Sequence, residues 1–280
     1  MRHLKARMSR GRVAVGALAA VLSITRHDPC VAREGTERIQ VAATYHVEFT
    51  AFNLGDFHLT ATLANSKYEL KAKGKFSFIS GMIYRASGRT EATGELSKNG
   101  AEPSQFGVTY KGGNKKEERR ISFANGAVDE ISIVPLKKPS PRSVPITADQ
   151  LENVLDPLTA AFLSVRANGS PTYREICQRT LPVFDGKQRF DIILTPKRSE
   201  RALKGAPAGI SDPLAVCRVK FVPISGYRPD HPGIKFMKQT EDIEVWLVSV
   251  PRTDLYIPYR IVLPTTWGSG VATLSEIKLH

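Results

Sequence analysis

The residues of this chain that could do chemistry are few and scattered. Paired carboxylates for sugar hydrolysis would have to come from Glu175, Asp185, Asp191, Glu241, Asp242 or Glu244. That chemistry needs one acid held protonated near one held charged. Asp185 is followed by Gly186 in a turn signal, and Glu241, Asp242 and Glu244 lead into an apolar run as a solvated strand end. No carboxylate stands alone in an apolar stretch, the setting that raises a pKa. A serine nucleophile needs a base and an orienting acid, but there is no Gly-x-Ser-x-Gly, and Gly268-Ser269-Gly270 reads as a turn. His46, His58, His231 and His280 have no partner histidine two or four residues on, so the spacing of a metal site is missing. Gly112-Gly113-Asn114-Lys115-Lys116 lacks phosphate-loop spacing and reads as a hairpin tip. No catalytic residue, metal or cofactor is expected.

The cysteines point elsewhere. Residues 1–12 carry five basic residues and no acid, residues 13–24 are an unbroken apolar and small run, and Cys30-Val31-Ala32 offers a small-residue cleavage site. This is the pattern of a secretory signal, and twelve apolar residues fall short of the ~20 that span a bilayer. Cleavage after Ala32 removes six basic residues and one acid, so the +13 of the 280-residue chain falls to +8. Nucleic acid is then not an expected partner, and the expected compartment is the periplasm. Cleavage also removes Cys30 and leaves Cys177 and Cys217, an even pair that reads as a disulfide in an oxidising compartment. Closing a loop of about 40 residues is worth roughly 4 kcal/mol in the chain-entropy model. A thiol nucleophile at Cys177 with His231 as its base would require that bond to be absent.

The elements that must position these residues are strands. Tyr45, Val47, Phe49 and Ala51 alternate with His46, Glu48 and Thr50, and the pattern repeats over 57–63 and 68–73 with turn residues between. Period two with intervening turns is an antiparallel meander with one wet face. Further strands are expected at 82–93, 105–111, 118–124 and 127–134, the last two joined by Asn125-Gly126. Residues 135–146 hold four prolines and read as an extended linker. Thr147-Ala148-Asp149-Gln150 is a capping box, and Leu151, Leu155, Leu158 and Phe162 fall at helical spacing. Two short helices, or one kinked at Pro157, are expected over about 148–167. Strands resume around Asp185-Gly186, at 215–221, 243–248, 259–263 and 271–279. The expected fold is mainly β: a large curled antiparallel sheet, open barrel or β-spiral, with one short helical insert. Residues 1–32 are the signal. Residues 33–280 form one β-rich domain: a meander at 43–134, linker and insert at 135–170, and strands at 171–280.

Val154–Pro157, Phe184–Ile192, Glu244–Trp246 and the ending from Tyr259–Leu263 to Ile277 resemble a family of proteobacterial envelope proteins known as domain of unknown function number 3108. The resemblance covers roughly residues 43–280. The architecture it implies is similar to the half-open barrels of periplasmic lipoprotein carriers and to spiral-sheet envelope-integrity proteins, with a concave apolar face and a helix across its mouth. It carries no catalytic residue.

The stretch from Lys75 to Tyr84, KFSFISGMIY, is unusually apolar between two alternating strands. It reads either as a buried strand crossing or as a lining for an apolar ligand or a partner's strand. On the second reading Phe76, Phe78, Ile79, Met82 and Tyr84, the helical face Leu155, Leu158 and Phe162, and Trp246 behind them line one cleft. The expected function is a non-enzymatic exported binding or scaffold protein, with lipid or an envelope protein as partner. The remaining basic surface suits peripheral contact with an anionic membrane. The alternative is a cell-wall or lipid hydrolase with unassigned carboxylates.

Overall fold

Alternation of buried and exposed residues builds seven consecutive strands: β1 (Arg38–Phe49), β2 (Phe52–Ala64), β3 (Lys67–Ser80), β4 (Met82–Ser97), β5 (Gly100–Gly112), β6 (Lys115–Ala124) and β7 (Ala127–Val134). The computed structural model describes residues 38–280 apart from 81, 98–99, 137, 162, 165–170, 211, 252 and 266. The expected signal at 1–32 and Phe162 lie outside the described residues. Asn125 and Gly126 both have positive φ, 52° and 78°, which matches the twist of a tight hairpin.

After the linker come α1 (Pro157–Ala160), β8 (Leu163–Ser164), α2 (Tyr173–Cys177), β9 (Arg179–Phe184), β10 (Arg189–Glu200), β11 (Leu214–Ser225), α3 (Pro232–Gln239), β12 (Ile243–Ser249), β13 (Leu255–Thr265) and β14 (Gly268–Leu279). One antiparallel sheet runs β7-β6-β5-β4-β3-β2-β1-β14-β13-β12-β11-β10-β9, with β8 beside β13. The first strand thus pairs with the last, Val41 opposite Leu279 and Phe49 opposite Gly270. This is the curled, mainly β architecture that the alternation predicts.

Bulges at Thr44/Tyr45, Val47/Glu48 and Thr93/Gly94 bend the strands. At Gly94 a Cβ would lie 2.2 Å from Glu102 O and 2.5 Å from the Tyr68 hydroxyl; only glycine lets Tyr68 cross there. The curl brings the sheet's two ends to one short extended segment. Asn153 N donates to Gly126 O (2.6 Å), Leu155 N donates to Pro182 O (2.7 Å), and Leu155 O accepts from Phe184 N (2.9 Å). Residues 153–155 therefore clasp the β6–β7 turn to β9.

Of the two helical expectations the structure follows the first, two short helical pieces separated by this clasp, while the single apolar stripe is not formed. Ala148–Leu151 is a single 3-10 turn, Glu152 is already extended at ψ 143°, and Asp156 is extended at ψ 160°. The residue before proline is pushed out of the α region, so Asp156 caps a new one-turn helix instead of continuing an old one. Leu151, Leu155 and Leu158 accordingly never share a helical stripe. α2 and α3 have no counterpart in the expected single insert. The apolar stretch at 75–84 runs along the end of the β3–β4 hairpin, Ser80 pairing with Met82.

The core has two parts. Inside the curl, Tyr45, Leu59, Leu70, Phe106 and Ile121 of the first strands meet Phe184, Val216, Trp246, Ile257 and Tyr259 of the later ones. On the outer face of the later strands, Leu194, Ala215, Cys217, Val219 and Leu247 pack against Ile176 and Cys177 of α2. Cys177 and Cys217 are disulfide-bonded, with Cα atoms 5.3 Å apart. The bond pins α2 to β11.

Candidate functional site

Concave sheet faces must be filled or left hollow, and here an apolar hollow lies within the curl. A cavity of about 510 Å³ is walled by Tyr45, Phe57, Leu59, Phe106 and Val108 from the first strands and by Phe190, Pro258, Ile261 and Ala272 from the later ones. Pro157, Leu158 and Ala161 cover it from α1. Its lining is mostly apolar, with Thr90, Arg119 and Asp185 as the polar members.

Each wall has a local cause. Tyr45 stands on the inward parity of β1, and its hydroxyl donates to Pro258 O at 2.7 Å across the intervening β14. Burial pushes the Tyr45 phenol well above its ordinary pKa, so it stays a donor. Its ring lies 6.1 Å from that of Phe57 at 59°, a tilted pair of the favoured kind. Behind α1, Asp156 is fully buried, and its Oδ1 accepts from Leu158 N and Thr159 N, both at 2.9 Å. Its Oδ2 has no hydrogen-bond partner among the described residues. Burial pushes this carboxyl up to about 6, against hydrogen bonds from Thr159 and Leu158 that pull it down. The Tyr68 hydroxyl sits 3.0 Å from Thr159 Oγ1, which ties the helix to β3.

An ion-pair network closes one side. On β6 the inward positions are Glu117, Arg119 and Ile121. Arg119 Nη1 donates to Asp185 O at 2.6 Å and lies 3.0 Å from Asp185 Oδ2. Arg119 Nε lies 3.3 Å from Glu117 Oε1, and Lys187 Nζ lies 2.6 Å from Glu117 Oε2. Asp185 Oδ1 also accepts from Lys187 N and Gln188 N at 2.8 Å, shaping the β9–β10 turn. The cavity therefore has an apolar body and a charge-balanced polar edge.

The candidate residues read from sequence do not include Glu117 and Arg119, which sit in the charge run KKEERR at 115–120. Their parity with Ile121 and Phe123 was the available signal. Leu158 lines the cavity and is buried. Leu155 does not; it is half-buried in the clasp, beside Val183. Trp246 is buried too, but its ring lies 6.5 Å from Tyr259, and its Nε1 donates to Glu244 Oε2 at 3.0 Å. Phe76 is half-buried on β3 opposite Gly55. Eight residues of strand, about 26 Å, separate it from Tyr68 and so from Thr159. Phe78, Ile79, Met82 and Tyr84 belong to the part of the hairpin beyond the last pairs with β2 and β5, Gly55–Phe76 and Ala86–Gly112. Their side chains lie outside the described structure. Ile79 pairs with Ile83 while Phe78 pairs with Tyr84, so Ile79 holds the alternate register position. Among the described residues, the expected cleft is not brought together in one place.

The candidate acids are engaged. Glu244 is no solvated strand end: Lys197 and Arg198 both bond it, and the Arg198 guanidinium lies 5.3 Å from the Trp246 ring centroid. Burial works against its charge, but hydrogen bonds from Arg198, Lys197 and Trp246 prevail and hold the carboxyl at about 2. Asp191 pairs with Arg189 at 2.6 Å, and Glu175 caps α2 through Thr172. His46 lies 3.1 Å from Asp56 Oδ1, His58 Nδ1 lies 3.2 Å from Thr44 Oγ1, and His231 Nδ1 accepts from Gly233 N.

The model of the family described as "Protein of unknown function (DUF3108)" matches residues 44–275. Among solved structures, the chain is similar to the beta-barrel-like protein of domain of unknown function DUF1849 from Brucella abortus. The TM-score is 0.54 at 8% identity, over 88% of this chain and 99% of that one. At that identity the likeness concerns the fold. No curated protein matches the sequence.

Proposed function

We propose that this chain, which belongs to the DUF3108 family of proteins of unknown function, is an exported, non-enzymatic binding protein that houses an apolar ligand of lipid type inside its curled sheet. The observation that carries the reading is the 510 Å³ apolar cavity, a size within the roughly 300–1,000 Å³ of small-molecule sites. An acyl chain suits the walls of Phe57, Leu59, Phe106 and Val108. A polar head group suits the edge at Arg119 and Asp185, where donors and an acceptor lie together. The disulfide supports an oxidising compartment such as the periplasm. The hydrolase alternative gains nothing from Asp185, Asp191 or Glu244, whose carboxylates are held in ion pairs.

A fluorescent fatty-acid probe tests this. The wild type should take up the probe, and Val108→Trp, which narrows the hollow, should weaken uptake while the melting temperature changes little. A wild type that binds no probe, or a Val108→Trp protein that binds it equally well, overturns the reading.

A further inference from the structure

The outer face of the first strands is wet, and its charges are sorted along the strands. Toward the β2–β3 turn, cations are matched: Lys67 with Glu95, Lys71 with Glu69, and, further across the sheet, Arg120 with Glu118. Toward the opposite end stand Lys73, Lys75, Arg85, Arg89, Lys111 and Lys116, all exposed. None of these six has a salt-bridge partner among the described residues. Register makes the crowding explicit. Lys73 lies directly opposite Arg89, and Lys111 directly opposite Lys116, while Lys75 and Lys111 flank Ser87 on either side. Like charges facing each other across a ladder destabilise a sheet. Five of the six, all but Arg85, line one groove of about 820 Å³ on this face. The two acids in that groove are placed to favour other partners, Asp56 with His46 and Glu118 with Arg120.

From this arrangement we propose that the cationic end of the outer face of β3–β6 is a docking surface for an anionic lipid bilayer. Charge complementarity selects an anionic partner, because only an external anion relieves two opposed like-charge pairs that the fold itself leaves unmatched. The same hairpin selects a bilayer over a soluble polyanion. Beyond Lys75 it continues through FSFISGMIY, nine residues without a charge, to the return strand at Arg85. A cationic patch beside an apolar, aromatic segment is the composition of interfacial binding. This inference does not rest on the internal cavity.

Sedimentation of the protein with vesicles tests it. The wild type should sediment with vesicles of phosphatidylethanolamine and phosphatidylglycerol in equal parts, should not sediment with phosphatidylcholine alone, and should be released as salt rises. A cation near such a surface is worth about 5-fold in affinity, so replacing Lys73, Arg89, Lys111 and Lys116 together by Gln should weaken binding by on the order of a hundredfold or more. Relief of the opposed charges should leave that variant's melting temperature at or above wild type, which shows it is folded. Val108→Trp should bind vesicles like the wild type, so failure of the cavity reading and failure of this one are read separately. Equal binding to neutral vesicles, or unchanged binding by the fourfold variant, overturns the proposal. So does binding of soluble polyphosphate as tight, at matched charge, as binding to the anionic vesicles, which would make the occupant a soluble polyanion.

Discussion

The two halves of the sheet solve the same problem differently. β1–β7 bury one face only: Leu70 and Ala72 are inside while Lys71 and Lys73 are in water. β11 and β12 bury both faces. Val216 and Trp246 look into the curl, whereas Cys217 and Leu247 look outward beneath α2. A half-wet sheet can present charge and enclose a hollow at once, because its packing needs are met on one side. A sheet buried on both faces offers no such surface, but it supplies a rigid wall, held here by a covalent bond. The division of labour follows from which half is covered by a helix.

The largest effect that would sharpen this contrast is loss of the disulfide. Replacing Cys177 and Cys217 by Ser should cost about 4 kcal/mol for a loop of this length and lower the melting temperature by about 10 °C. Hydrogen exchange should show β10–β12 losing protection before β2–β4. A uniform loss across both halves would break the contrast.

A smaller effect sits at the clasp between the halves. The Asp156 carboxyl is raised to about 6 in the folded chain against an ordinary value near 4. A raised acid favours folding below its unfolded pKa and loses that advantage as pH climbs through about 6. By linkage the charged form costs the fold about 3 kcal/mol at neutral pH. Asp156→Asn keeps the oxygen that accepts from Leu158 and Thr159 and removes the charge. Denaturant unfolding should find the Asn protein more stable at pH 8, with the gap closing at pH 5. A wild type that gains on the Asn protein as pH rises would contradict the burial of this charge.

Smallest is Tyr45→Phe. It leaves Pro258 O, buried across the junction of the halves, without its donor, at a cost of about 1–2 kcal/mol. No change in the unfolding midpoint would mean that this bond does not couple them.

Much of the first half was legible because one buried face leaves a clean period of two: the strands around Tyr45, Phe57 and Tyr68 lie where alternation puts them. The second half was less so. Ile243 to Val248 is apolar on both parities, so the strand could be read but not what covers each face. The disulfide was legible from compartment logic alone, without geometry. The helical stripe failed because Leu151, Leu155 and Leu158 keep a helical spacing that Asp156-Pro157 forbids the backbone to follow. The cavity was illegible for another reason. Its walls come from strands far apart in sequence, and only the curl brings Phe57 to Phe190. Arg119 hid inside a charge run whose parity was the one usable clue.

The pairing of β1 with β14 also governs the order of assembly. Nearly every other neighbour in the sheet is consecutive in the chain and joined by a turn or a modest excursion. This seam closes a loop of more than two hundred residues, Val41 to Leu279, and pairing over so long a separation demands entropy before contacts reward it. Each half can therefore zip along its own hairpins while the edge of β1 stays open. The two halves become one sheet, and the hollow between them exists, only when the last strand arrives. Until then the exposed edge of β1 is the place where a second chain could pair in its stead, so assembly of this protein is most vulnerable at its final step.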